Sequence, residues 1–319
     1  MAMLSRVADS LYWMSRYLER TEHTARLLDV TQHQLIDVDI TASQQRWHRL
    51  WQALHYNEAM AGSREPAPIV ELFTADSHYP DSLVASITAA RENARQVREH
   101  ISSEMWEQIN RLYLDIRQQV QGHHWKQATH RFYGMVKAGS HLFQGITDAT
   151  MIHDEGWNFI QMGRALERAN NTASLLHSHL GILQSASDEQ GVHHAEWVAL
   201  LKMCSAFEAY CKVHTPEVTP PRMIQFVVYD AVFPRSIRFC ADSIHAATIA
   251  IDAKHTRGHG QRVQRVAGKF QAMLEYGGVD DQLATLAHNI VQVQAGCSQI
   301  GAALHEVHID YAVDSTLSN

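Results

Sequence analysis

The stretch MSRYLERTEHTARLL at residues 14–28 places two arginines and a glutamate, Arg16, Glu19 and Arg20, within about one helical turn. The same order returns at 162–176, MGRALERANNTASLL, as Arg164, Glu167 and Arg168. Nine of the fifteen positions are identical, where unrelated segments share roughly one. A guanidinium offers a planar fork of donors that suits a carboxylate, a phosphate or a peptide backbone. A glutamate held by two arginines has a lowered pKa. It is then a poor general acid near neutrality and a better orienting group or base. Arg16 and Glu19, three residues apart, are able to meet on the helix surface, which leaves Arg20 for a neighbour such as Glu167.

Where these charges sit decides what they do. At about 100° per residue, Leu11, Met14, Leu18 and Ala25 line one side of the first helix, and Tyr12, Arg16, Glu19, Arg20 and His23 the other. Such a polar face is ordinarily solvated. Here Trp13 and Leu27 share it, and Trp157, Ile160 and Leu175 accompany the second motif. A helix apolar nearly all round is central, so the charges are expected to be partly buried, and buried charge requires a partner. Two readings stand side by side. Crossed Arg–Glu pairs would fix the register of two central helices. Alternatively, Arg16, Arg20, Arg164 and Arg168 wall a polar cleft for a carboxylate, phosphate or peptide. Two arginines per motif exceed what a register device needs, which tilts the expectation toward a cleft.

A second cluster, Arg91, Arg95 and Arg98, is spaced by four and three and would share one helix face. It reads either as a surface stripe paired with Glu92 and Glu99 or as an anion site. Arg235 and Arg238 form a looser counterpart beside Ser236. Other chemistry is sparse. There is no Gly-rich phosphate loop, no Gly-x-Ser-x-Gly and no His-Glu-x-x-His. The 22 histidines invite a metal, but the best local spacings, His305-x-x-His308 and Asp242-x-x-His245, are not the matched Glu-x-x-His pair of a di-iron bundle. Neither a metal nor a cofactor is expected. Cys204, Cys211, Cys240 and Cys297 include no Cys-x-x-Cys pair, so reduced thiols are expected.

The elements that must carry these residues are helices. All seven prolines fall at 66–80 and 216–234, leaving 1–65, 81–215 and 235–319 free of helix breakers. Leu283, Leu286, Ile290, Val293, Cys297, Ile300, Leu304 and Val307 step by three and four after Gly277-Gly278. The first helix spans about 6–28, and further helices are expected at 41–56, 82–100, 103–120, 124–148, 152–185, 190–213, 222–230, 234–252 and 259–276. No segment shows a strand's alternation. The repeat continues beyond the motif, since Tyr79-Pro80-Asp81-Ser82-Leu83 parallels Phe233-Pro234-Arg235-Ser236-Ile237. The expected fold is all-α, a duplicated helical bundle of two pseudosymmetric units, 1–150 and 151–319, packed as one globular domain. The 319 residues, 45% apolar and 19% charged, suffice for a large core. A net charge of −7 without a basic patch argues against nucleic acid. With no signal peptide and no stretch of about 20 apolar residues, the expectation is a cytoplasmic protein with no membrane partner.

Leu4-Ser5-Arg6-Val7-Ala8-Asp9-Ser10-Leu11-Tyr12-Trp13 followed by Arg16-Tyr17-Leu18-Glu19-Arg20 resembles the alpha-E family, a helical domain with a Glu-Arg motif. Ala90-Arg91-Glu92-Asn93-Ala94-Arg95, Ile101-Ser102-Ser103-Glu104-Met105-Trp106-Glu107, Gly156-Trp157, Gly163-Arg164-Ala165-Leu166-Glu167-Arg168 and Pro234-Arg235-Ser236 resemble it too. Ser10 and Thr21 stand where the family pattern has Asn and Ala. The resemblance covers essentially the whole chain. It implies a bacterial protein that accompanies, or is fused to, a circularly permuted ATP-grasp amidoligase-like protein, and hence an amide-forming or peptide-modifying system. On that expectation Glu19, Arg20, Glu167 and Arg168 are catalytic: the arginines hold carboxylates while the glutamates orient them or take a proton from an attacking amine. Arg16, Arg164, Arg91, Arg95 and Arg235 bind the peptide or carboxylate substrate. The alternative is a non-catalytic module that binds the ATP-grasp partner or its peptide.

Overall fold

The computed structural model describes residues 3–34, 40–56, 65–185, 194–214, 217–253, 261–277 and 283–309, among which every regular element is helical. In chain order these are α1 Ser5–Gln34, α2 Ile40–Ala53, α3 Pro66–Ala75, α4 Leu83–Gln96, α5 Ser103–Gln121, α6 Thr129–Thr150, α7 Glu155–Ser178 and α8 Leu180–Ser185. They continue with α9 His194–Met203, α10 Phe207–Val213, α11 Pro220–Ile224, α12 Ile237–Asp252, α13 Gln261–Glu275 and α14 Leu283–Leu304. The last helix runs on as one π-turn at His305–Ile309.

The two motif helices, α1 and α7, lie against each other at the centre of the molecule. Helix α1 closes a ring with α4, α5 and α6, each packed on the next; α7 closes another with α12, α13 and α14 in the same order of neighbours. Short α2 leans across onto α7, and α9 leans across onto α1. Apolar side chains from both rings form one core, in which Leu11, Met14, Leu18 and Ala25 of α1 meet Phe159, Met162, Leu166 and Ala173 of α7. The opposite side of α1 is covered as well: Tyr12, Glu19 and Leu27 are buried. The central position inferred from an apolar perimeter is therefore observed.

The approach of α1 to α7 depends on one glycine. A Cβ on Gly163 would stand 2.4 Å from the Tyr12 carbonyl oxygen and 2.4 Å from Ser15 Oγ. Since the first of these is backbone, α1 would have to shift to accept a side chain. Ser15, at the matching position of the first motif, is itself small and turns its hydroxyl onto the Tyr12 carbonyl at 2.9 Å.

Several helix ends differ from the sequence expectation. Pro66 and Pro68 do not exclude a helix at Pro66–Ala75, because proline occupies its first turn, where the missing N–H costs nothing. The span 82–100 stops at Gln96, followed by a 3-10 turn at Arg98–His100. Helix α6 begins only at Thr129, after a 3-10 turn at His124–Lys126. The span 152–185 is interrupted at His179, and 190–213 at Cys204–Ala206, where Ser205 takes φ +52°. In the first half His55 takes φ +55° at the end of α2. The two breaks share one hydrogen-bond pattern: Tyr56 N–H reaches back to the Trp51 carbonyl at 2.9 Å, and Ala206 N–H to Leu201 at 2.7 Å. Such 6→1 closures terminate helices without a proline. Residues 57–64, 190–193, 259–260, Pro216 and Gly278, on which parts of the expected pattern fall, lie outside the described residues.

Candidate functional site

The charges of the two motifs meet between α1 and α7 in a crossed arrangement. Glu167 receives Arg16 Nε at 2.8 Å on one oxygen and Arg20 Nε at 2.7 Å on the other. Arg16 therefore crosses to the other helix rather than meeting Glu19 on its own. Glu19 is gripped by the fork of Arg168, with Nε at 2.7 Å and a terminal nitrogen at 2.9 Å, and accepts Gln144 Nε2 at 3.0 Å. Arg235 adds its charge at 3.6 Å. Glu19 is 1% exposed and Glu167 2%.

The arginines are held from behind. Tyr12 Oη accepts Arg16 at 3.1 Å, and the Arg16 guanidinium lies 4.7 Å from the Trp13 ring centre. Asp81 accepts Arg20 at 2.8 Å, and the Pro234 carbonyl accepts Arg168 at 3.1 Å. Those two partners lie at the two matched proline corners. There Ser82 caps α4 and donates to the Asp76 carbonyl at 2.5 Å, while Ser236 caps α12 and donates to the Asp230 carbonyl at 2.5 Å.

The two motifs do not pair identically at this site. Arg164, at the position matching Arg16, makes no pair with Glu19; it donates to Gln161 and lies 3.8 Å from Asp148. Its place beside Glu19 is taken by Arg235, which matches Asp81 in the first half and also reaches Glu22 at 3.2 Å. Glu22 is fully buried, with Arg26 and His141 as further partners. Sequence reasoning passed over Glu22, although its spacing of three from Glu19 and four from Arg26 was visible.

Electrostatics follow from this packing. Burial alone would raise the Glu19 carboxyl, but the Arg168 and Arg235 charges reverse that and hold it at about 2. Burial likewise opposes charge on Glu167, and Arg16 and Arg20 bring it below the ordinary range. Glu22 is held well below by Arg235 and Arg26 against the same burial. All three are fixed carboxylates near neutrality. Burial brings His23 down to about 4, so it is neutral there. Burial lifts the thiols of Cys204 and Cys297 to about 12 and Cys240 to about 11, far from nucleophilic thiolates.

Beside Glu19 and Arg168 lies a void of only about 10 Å³, lined also by His23, Asn171 and Arg235. That is room for one water and not for a peptide. His23 Nε2 and Asn171 Nδ2 are buried there without a protein hydrogen-bond partner.

The remaining arginines stand apart. Arg91 donates to Asn110 at 2.7 Å and lies 4.7 Å from the Tyr113 ring centre. Arg95 is exposed and pairs with Glu92 three residues earlier at 2.5 Å. Arg98 sits beyond the end of α4, against Trp106, so the three do not share one helix face. Of the two local histidine spacings, His305 packs on Tyr12 and Trp13, His308 on Phe159, and Asp242 accepts from Gln271.

Residues 3–309 match a family described as a predicted alpha-helical domain with a conserved ER motif. The chain belongs to the Alpha-E family. Its Glu-Arg dipeptides are Glu19-Arg20 and Glu167-Arg168, the residues of the crossed clamp. This Alpha-E chain is similar to uncharacterized proteins of Mycobacterium bovis and Mycobacterium tuberculosis, each 25% identical over 262 residues, covering 76% of this chain and 29% of the relative. The chain thus spans under a third of the length of those relatives. No solved structure matches it. No helix among the described residues is long and apolar enough to cross a membrane.

Proposed function

We propose that this Alpha-E chain is a non-catalytic helical module serving a cytoplasmic amide-forming or peptide-modifying system, with an ATP-grasp amidoligase-like protein as its partner. The observation that carries the non-catalytic reading is the closed clamp. Both motif glutamates are already occupied by the chain's own arginines, and the adjoining void holds no more than a water. A catalytic carboxylate needs room for substrate within hydrogen-bond reach. The partner follows from the family pattern, and the much greater length of the mycobacterial relatives is consistent with a domain that works beside others.

On this reading the two halves, 1–150 and 151–319, are a duplicated unit, and the clamp is the device that sets one central helix against the other. Nine identities in fifteen residues, the matched serine caps and the matched helix breaks support it. The second arginine of the first motif is not surplus, because Glu167 uses both Arg16 and Arg20. Buried pairs of this kind add little net stability, yet they specify register, and removing one member strands the other.

The test pairs the chain with its ATP-grasp partner. ATP-dependent amide product is measured by mass spectrometry for wild type and for Glu19→Gln and Arg168→Lys. The module reading expects product to fall only with the folded fraction of each variant. Loss of product in a variant that melts like wild type would restore the catalytic reading.

A further inference from the structure

A second charged cluster sits about two and a half turns beyond Arg20, the clamp's last charge on α1, and takes no part in it. Asp29 and His33 are four residues apart and so share a helix face, and His130 enters from the first turn of α6. His130 Nδ1 lies 2.8 Å and His33 Nδ1 3.4 Å from Asp29 Oδ1. One potential ligand atom from each of the three lies within 4.8 Å of the others. The two imidazoles meet edge to face with centres 4.4 Å apart.

We propose that Asp29, His33 and His130 bind one divalent transition-metal ion, of which Zn2+ is the first candidate. Two imidazoles and a carboxylate are a ligand set such ions favour, and three protein ligands with one open position is the pattern of accessible zinc sites. Donor atoms around tetrahedral Zn2+ at about 2.0–2.1 Å stand roughly 3.4 Å apart, close to the 2.8 Å and 3.4 Å between the imidazole nitrogens and Asp29 Oδ1. The ion replaces two contacts, His130 Nδ1 to Asp29 Oδ1 and His33 Nδ1 to the Asp29 backbone carbonyl, each 2.8 Å, after rotations of two exposed rings.

The surroundings fit this use. Asp29 is buried, and Lys137, two turns along α6, donates to its other oxygen at 2.5 Å. That contact fixes the carboxylate with Oδ1 toward the imidazoles, the kind of outer hydrogen bond that metal-bound carboxylates carry. The His33 and His130 side chains are 51% and 69% exposed, which leaves an entry path. All three residues border a cavity of about 670 Å³ whose lining also includes Arg46, His194 and Lys202. Arg46 is paired with Glu196 at 2.6 Å, so an external ligand completing the coordination from that side meets Lys202 among the apolar Val30, Ala195, Val198 and Ala199, and a small ligand with one anionic oxygen is the class that fits. The site is independent of the clamp and of the module reading, and stands or falls separately.

The experiment uses the full chain, stripped with chelator, titrated with Zn2+ by calorimetry and with Co2+ by visible absorption. Wild type is expected to bind one ion per chain, with the intense d–d bands of tetrahedral Co2+. His33→Ala and His130→Ala are expected to weaken binding at least tenfold while keeping the wild-type helical circular dichroism, since both rings are exposed. His153→Ala, outside the cluster, serves as control and keeps the wild-type isotherm. Absence of saturable binding in wild type overturns the proposal, as does an isotherm that neither cluster variant changes.

Discussion

A carboxylate with 1% exposure between two guanidiniums has no neutral alternative near pH 7, and that is the condition of Glu19. Replacing it by Gln removes the charge but not the shape, leaving the buried Arg168 without its carboxylate partner while Arg235 keeps Glu22 at 3.2 Å. We predict that Glu19→Gln costs about 3–5 kcal/mol in denaturant unfolding, the scale for breaking a buried pair. Arg95→Ala, which removes a solvent-exposed pair, should leave the melting temperature unchanged. The pairing of Arg20 with Glu167 was legible in the sequence because the repeat placed equivalent charges on two central helices. The pairing of Arg235 with Glu19 was not. Its counterpart is Asp81, of opposite sign, and nothing local announces that one corner holds an arginine and the other supplies one. His130 and Asp29, 101 positions apart, were equally hidden. The i, i+4 spacing of Asp29 and His33 was the only local trace.

Among the elements, the α1–α7 crossing rests on Ser15 and Gly163, which allow backbones to approach closely. Gly163→Ala is predicted to destabilise by about 1–3 kcal/mol, the range for overpacking, despite the usual gain of alanine over glycine in a helix. Thermal melts of the single variant check this, and an unchanged or raised Tm would contradict the close approach. Each segment read as helical from three-and-four spacing contains an α-helix among the described residues, although 222–230 becomes a π-turn at Gln225–Tyr229. Their ends were less readable. The breaks after α2 and α9 are made by His55 and Ser205 in left-handed conformation, residues that carry no glycine or proline signal. Helix α3 is masked in the sequence by its prolines, which mark a break in a helix interior but are compatible with a first turn.

At the scale of the whole molecule, burial of ionisable groups makes stability depend on pH in two separate windows. Burial lowers His23 and His179 to about 4 in the folded state, while in the unfolded chain they take a proton near 6.5. Between those values the unfolded state binds more protons, so stability falls as pH drops. Each histidine accounts for about 2 kcal/mol between pH 7 and pH 5. Urea unfolding at the two pH values measures the loss, and His23→Gln should remove about half of it. Glu19, held at about 2, acts lower: its contribution is complete above the ordinary glutamate value and disappears as pH falls toward 2. The all-helical class and the central place of both motif helices followed from the sequence. The clamp's closure did not, because it depends on how tightly α1 and α7 approach.

The most direct test of the clamp is therefore a pair of unfolding curves, for Glu167→Gln and for Arg168→Lys, each set against its function with the ATP-grasp partner. The register account predicts that Glu167→Gln loses several kcal/mol, on the scale of breaking a buried pair, and that Arg168→Lys loses less, because lysine keeps the charge but not the fork, with residual function following the folded fraction. Wild-type melting in both, together with abolished product, would contradict it and make the clamp a substrate site.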